Sequence, residues 1–155
     1  MRKYKQYIIS ILIALGVGAL SAYVTKDYMN IYDEIVRPPL VPPGVVFPIV
    51  WTVLYTLMGI SSAMVYLKCK ETDCNDTWGV IYVLQLVVNF FWSIIFFRMR
   101  TFLFAFIWLL ILIALVIWMI IEFRKISKTA AYLQIPYLVW IIFAAFLNFM
   151  TFILN

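Results

Sequence analysis

Five apolar runs, each about as long as a helix needs to cross a bilayer, set the limits on how this 155-residue chain can fold. Crossing the hydrocarbon core takes about 20 helical residues, and the runs fall at 7–24, 46–67, 79–97, 102–121 and 130–154. Short charged stretches, "KCKETDCND", "RMR" and "EFRKISK", separate the later ones. Backbone polar groups cannot stay unpaired in lipid, so only helices and closed barrels span a membrane. Barrel strands would be shorter and would alternate in polarity, and these runs do neither. The expected fold is an all-α integral membrane protein, a single five-helix bundle over residues 1–155. Composition agrees, with 66% hydrophobic and 12% charged residues against roughly 25% charged in soluble domains.

The connector after the first run, residues 26–45, is the only long one. It leads into "RPPLVPPGVVFPIVWTVLY", Arg37 to Tyr55, with five prolines. Proline fixes its own φ and pushes the preceding residue extended, so "RPPLVPP" reads as a stiff, ordered strap. Pro48 falls in the first turn of the next helix, where a missing N–H costs little. Pro136, inside the fifth run, frees the carbonyl of Tyr132 and is expected to bend that helix.

The first run has a basic start and small residues near its end, as a secretory signal does. Its apolar part is long for a signal, and it is read here as the first spanning helix. Ala14, Gly18 and Ala22 recur every fourth position, a stripe that serves either packing inside the bundle or a dimer contact. Lys and Arg favour one side of the membrane. The N-terminus with the second and fourth loops carries Arg2, Lys3, Lys5, Lys68, Lys70, Arg124, Lys125 and Lys128. The opposite side has only Lys26, Arg37, Arg98 and Arg100. That bias predicts a multi-pass protein of the cell membrane with a cytoplasmic N-terminus and an outward strap. The net charge of +5 sits at or beyond the ends of the apolar runs, which suits anionic lipid head groups better than nucleic acid.

Several chemistries are excluded. The chain has no His, which removes imidazole catalysis and His ligation of haem. No Asp or Glu lies in a membrane core, so the carboxylate relay of proton-coupled transporters is missing. Cys69 and Cys74, without His, make a poor zinc site. They stay free thiols if their loop faces a reducing cytosol and otherwise form a small-loop disulfide. No phosphate loop or nucleophile motif is present, no conventional catalytic residue can be named, and nothing requires a cofactor or metal.

The polar groups left in the membrane are patterned. Trp51, Tyr55 and Ser62 share one face of the second helix, with Met58 between. Gln85, Asn89, Trp92 and Phe96 share one face of the third. Tyr137, Trp140, Ala144 and Asn148 share one face of the fifth. Amides are costly in lipid, so Gln85, Asn89 and Asn148 should point into the bundle, whether as interhelical glue or as cavity lining. Trp78, Tyr7 and Tyr132 suit interfacial belts, whereas Trp140 lies too deep for one. The fourth helix has no such stripe and reads as a lipid-facing wall with Trp108 and Trp118 structural. The second, third and fifth helices are thus expected to line an uncharged aromatic cavity suited to a flat apolar ligand, with the strap as its lid.

"YDEIVRPPLVPPGVVFPIVWTVLYTLMGIS", "QLVVNFFWSIIFF" and "IPYLVW…FLN", in that order, resemble the TspO/translocator-protein family over essentially the whole chain. The family is also known as tryptophan-rich sensory proteins or peripheral-type benzodiazepine receptors. The resemblance implies a five-helix fold, commonly dimeric, that binds porphyrin- or haem-type molecules and other flat hydrophobic ligands beneath the first loop. For some bacterial members it implies light-dependent degradation of protoporphyrin IX; transport of small hydrophobic molecules is a third reading. By resemblance the ligand-binding residues are Tyr32, Pro42, Trp51, Tyr55, Asn89, Trp92, Trp140 and Ala144. Asn148 is added from its place on the stripe. Arg37 or Lys26 is expected to meet an acidic ligand edge. The sequence departs from the pattern at Leu40 and Ile31, where the family usually carries Trp, and in lacking a basic residue after Tyr in the fifth helix, so sterol binding is not expected. The third helix lacks a small-xxx-small run, which leaves the Ala14/Gly18/Ala22 stripe as the candidate dimer contact.

Overall fold

The computed structural model describes residues 2–28 and 30–155, and among them the side chains of all but Arg2 and Tyr32. In chain order the helices are α1 (Arg2–Thr25), a 3-10 turn (Lys26–Tyr28), α2 (Ile31–Glu34), α3 (Val46–Thr72) and α4 (Thr77–Ser93). After α4 come a π turn (Ile94–Arg98), α5 (Phe102–Ile126), α6 (Lys128–Leu133) and α7 (Ile135–Leu154). Among the described residues, five helical stretches are long and apolar enough to cross a membrane: Lys3–Tyr28, Val46–Thr72, Thr77–Arg98, Phe102–Ile126 and Lys128–Leu154. The strap caps one end of the bundle, called here the strap end.

Several helices outrun their apolar stretches, because hydropathy reports membrane thickness and a helix continues until its hydrogen bonding is capped. Thus α3 passes 67 and stops only at Asp73, which takes a left-handed conformation (φ 53°, ψ 46°). The turn brings the Cα atoms of Cys69 and Cys74 to 5.1 Å, within disulfide range, and the two are bonded. Of the two states the sequence left open for this pair, the structure holds the disulfide. The fifth apolar run breaks in two at Gln134, two residues before Pro136, whose ring and missing N–H interrupt the ladder there.

Packing between α1 and α3 is the most extensive helix contact, and small residues make it. Lipid tails are as apolar as side chains, so membrane helices associate through close van der Waals packing. A Cβ on Gly59 would run into the backbone of Ile11, and one on Gly18 would sit 2.7 Å from the Tyr55 ring. Ala14 is fully buried. Ala14 and Gly18 are therefore engaged inside the bundle, the packing alternative of the two read from the stripe, while Ala22 is exposed. On α5, Ala105, Leu109, Leu112, Val116, Met119 and Phe123 are buried at alternating spacings of four and three. That stripe faces the core, while Trp118 is exposed on the opposite side. Trp108 donates its indole N–H to the Val88 carbonyl at 2.7 Å, the structural role expected of it.

The strap is tied down on its N-terminal side. Glu34 pairs with Arg100 in the α4–α5 turn. The Asn155 side chain accepts from the Val36 N–H at 2.9 Å and donates to its carbonyl at 3.1 Å. Arg98 lies over the Tyr28 ring. Leu40, where the family pattern has Trp, is exposed and holds a positive φ of 66°.

A roofed aromatic cavity

Proline rigidity and helix periodicity together place a partly open space of about 450 Å³ under the strap. Pro42 and Val41 roof it. Phe47, Trp51 and Tyr55 enter from α3, Asn89, Trp92, Phe96 and Phe97 from α4 and its π turn, and Trp140, Ala144 and Leu147 from α7. Residues four or seven apart on a helix lie on one face, so the three stripes converge on one cavity.

The wall is built of rings in contact. Trp51 lies 5.6 Å from Tyr55 and 6.3 Å, edge-on, from Tyr137, centroid to centroid. Trp140 packs against Phe47 at 5.9 Å. On the opposite side Trp92 stacks on Phe96 at 5.3 Å and 23°. These separations fall in the range favoured by aromatic pairs. At the floor, Asn89 Nδ2 donates to the Tyr55 hydroxyl at 2.9 Å. That bond leaves the Tyr55 proton and the Asn89 carbonyl as one donor and one acceptor for a ligand.

Of the nine residues named from the sequence, Pro42, Trp51, Tyr55, Asn89, Trp92, Trp140 and Ala144 line the cavity. Asn148 does not. It stands behind the wall, accepting the Trp92 indole N–H at 3.1 Å and donating to the Phe102 carbonyl at 2.8 Å, so it positions Trp92 instead of touching a ligand. Tyr32 belongs to α2, and its side chain lies outside the described residues. Arg37 does reach the rim, paired with Asp33 at 3.4 Å. Lys26 instead covers the Tyr23 ring and lies off the cavity.

The sequence reading missed a wall. Gly18, Ser21 and Ala22 of α1 also line the cavity, so the lining is not confined to the second, third and fifth spans. Their signal was present in the small-residue stripe, which brings the α1 backbone close to Tyr55. Asn30 and Asp33 at the rim carried no periodic signal.

Comparison with known proteins settles the relationship. The pattern of the TspO/MBR family matches residues 10–154. The chain belongs to the TspO/MBR family. Among its relatives is a Tryptophan-rich protein TspO of Archaeoglobus fulgidus, 34% identical over 148 residues, covering 94% of each chain. Another of that name, from Chlorobaculum tepidum, is 33% identical over 144 residues, covering 92% of this chain and 91% of its own. The Translocator protein of Ovis aries is 33% identical over 131 residues, covering 82% and 76%. For this TspO/MBR member the motif residues that carried the resemblance include most of the cavity wall described above.

Proposed function

We propose that this protein is a membrane receptor for porphyrin- and tetrapyrrole-like and other flat hydrophobic ligands, serving their sensing, transport or disposal. One observation carries the reading: a strap-roofed cavity walled by Trp51, Trp92, Trp140, Tyr55, Phe47 and Phe96, with its charged pair confined to the rim. Aromatic walls hold a planar apolar ligand by stacking and shape, and few polar groups orient it. Tyr55 and Asn89 offer a hydrogen-bond donor and acceptor at the floor, and Arg37 meets an acidic edge at the mouth in competition with Asp33. The Lys and Arg bias supports a cell-membrane protein with its N-terminus in the cytoplasm and lipid on its outer faces, whereas the Cys69–Cys74 bond is a state that an oxidising compartment favours and weighs for the opposite orientation. Any homodimer uses a face other than the Ala14–Gly18 seam.

The test is a protoporphyrin IX titration of the purified protein in the dark, followed by tryptophan quenching. Trp51→Phe and Trp140→Phe are expected to weaken saturable binding, and Trp118→Phe on the outer wall to leave it unchanged. Absent binding, or equal loss in all three variants, overturns the assignment. Subsequent illumination separates the second reading: loss of porphyrin absorbance only in light makes the cavity a photochemical site. Ligand flux in proteoliposomes would instead make it a transporter.

A further inference from the structure

Between the cavity floor and the end of the bundle opposite the strap, the core is not apolar. Tyr137 donates its hydroxyl to Gln85 Oε1 at 2.7 Å, and Gln134 donates to the Ser61 hydroxyl. Both glutamines are fully buried. Among the described residues, four buried side-chain polar atoms have no hydrogen-bond partner: Trp78 Nε1, Tyr82 OH, Gln85 Nε2 and Gln134 Oε1. The Tyr82 hydroxyl lies beside Ser62, but at a geometry that makes no bond.

These four atoms are not scattered. Trp78, Tyr82 and Gln85 continue directly into Asn89 at spacings of four, three and four, so they form one stripe along α4 that ends at the cavity floor. Gln134 stands one helical turn before Tyr137, the partner of Gln85, and neighbours three or four apart share a face. Gln85 meets Tyr137, Gln134 meets Ser61, and Tyr82 lies beside the adjacent Ser62, which puts these three in a seam between α3, α4 and the α6–α7 junction, while Trp78 packs on Tyr66 of α3 and Phe123 of α5 at the far end. Buried polar groups are satisfied in nearly all native structures, and apolar cavities stay dry while polar ones take up water that makes two to four bonds. The chemistry of the set matches such a guest: Gln85 Nε2 and Trp78 Nε1 donate, Gln134 Oε1 accepts, and Tyr82 does either.

We propose that this seam is a water-binding site, a short file of ordered water running from the end opposite the strap to the Tyr55–Asn89 pair. It gives the cavity floor a hydrogen-bonded route to that end of the bundle, independent of the strap. A proton can then be exchanged at Tyr55 by hydroxyl and water rearrangement, without any ionised side chain in the membrane. The site stands whatever the cavity binds.

X-ray hydroxyl-radical footprinting read by mass spectrometry tests it, because ordered water generates radicals in place and labels side chains that bulk solvent never reaches. On the ligand-free protein in lipid nanodiscs, Tyr82 and Tyr137 are expected to be labelled several-fold faster than Leu109 and Leu112. Those leucines are core positions of α5 that match Tyr137 in burial, and Tyr82, at 8% exposed, is compared also with Leu86 at 6%; rates are compared after correction for intrinsic reactivity. Gln85→Met removes the amide that holds the water and is expected to bring Tyr82 towards the leucine rate. Wild-type Tyr82 and Tyr137 labelled no faster than Leu109 and Leu112 would overturn the proposal, and that comparison needs no variant to fold.

Discussion

Asn148 is the position where stability and the cavity meet most directly, so its replacement is informative. Asn148→Leu keeps the side-chain volume and removes two bonds, one from the Trp92 indole and one to the Phe102 carbonyl. Phe102 opens α5 and is only half-buried, so its carbonyl can find another partner. Trp92 is 8% exposed, and its N–H is left sealed without an acceptor. A buried donor stranded in this way costs about 1–3 kcal/mol, while interhelical side-chain bonds inside membranes average nearer about 0.6 kcal/mol. The expected loss is therefore about 1–2 kcal/mol in reversible SDS unfolding followed by circular dichroism. The cause is checked by a double-mutant cycle with Trp92→Phe, which lacks the N–H. A coupling energy of about 1 kcal/mol is expected for a direct bond. Additivity within about 0.3 kcal/mol would show that Asn148 does not hold Trp92 and would refute the positioning role.

Three further outcomes follow from the same geometry. Gly59→Ala forces α1 off α3 and is expected to cost about 1–3 kcal/mol. Gly16→Ala, with open space around it, should be neutral or stabilising by up to about 1 kcal/mol; equal effects in the same unfolding assay would contradict the seam. Asn155→Ala removes both bonds to Val36 and is expected to speed ligand dissociation about five- to tenfold in stopped-flow. Arg100→Ala breaks only a solvent-exposed pair and should do so less than about fivefold, so the reverse order would misplace the latch. After reduction, Cys69 and Cys74 should resist a membrane-impermeant maleimide in intact cells and react in inverted vesicles, whereas labelling of intact cells would reverse the charge-based orientation.

Much of this architecture was legible in the chain because the bilayer imposes a length and a polarity on every span. The spacing of Trp51, Tyr55, Asn89, Trp92, Trp140 and Ala144 put them on inward faces, since amides in lipid have nowhere to go but inward, and the family resemblance marked those faces as a ligand cavity rather than interhelical glue. Where the reading stopped short, the physics was not periodic. Hydropathy ends at the membrane surface, so it could not see α3 continuing to Asp73. Asn148 shares a face with Trp140 but lies one layer back, and one-dimensional spacing does not encode depth. Gly18 read only as part of a small-residue stripe, and Gly59 drew no reading, until their partners, Tyr55 and Ile11, were in view. Gln134 carried no signal at all, because its burial depends on the break ahead of Pro136.

The central claim is that the space beneath the strap is where the ligand sits, and the direct test is to fill it. Ala144 lines that space, while Ala114 faces outward from α5. Protoporphyrin IX titrations of Ala144→Phe and Ala114→Phe, in the dark and in the same lipid, compare an occupied cavity with an altered outer wall. Saturable binding lost in Ala144→Phe and retained in Ala114→Phe is the predicted result. Unchanged affinity in Ala144→Phe would place the ligand elsewhere and contradict the account.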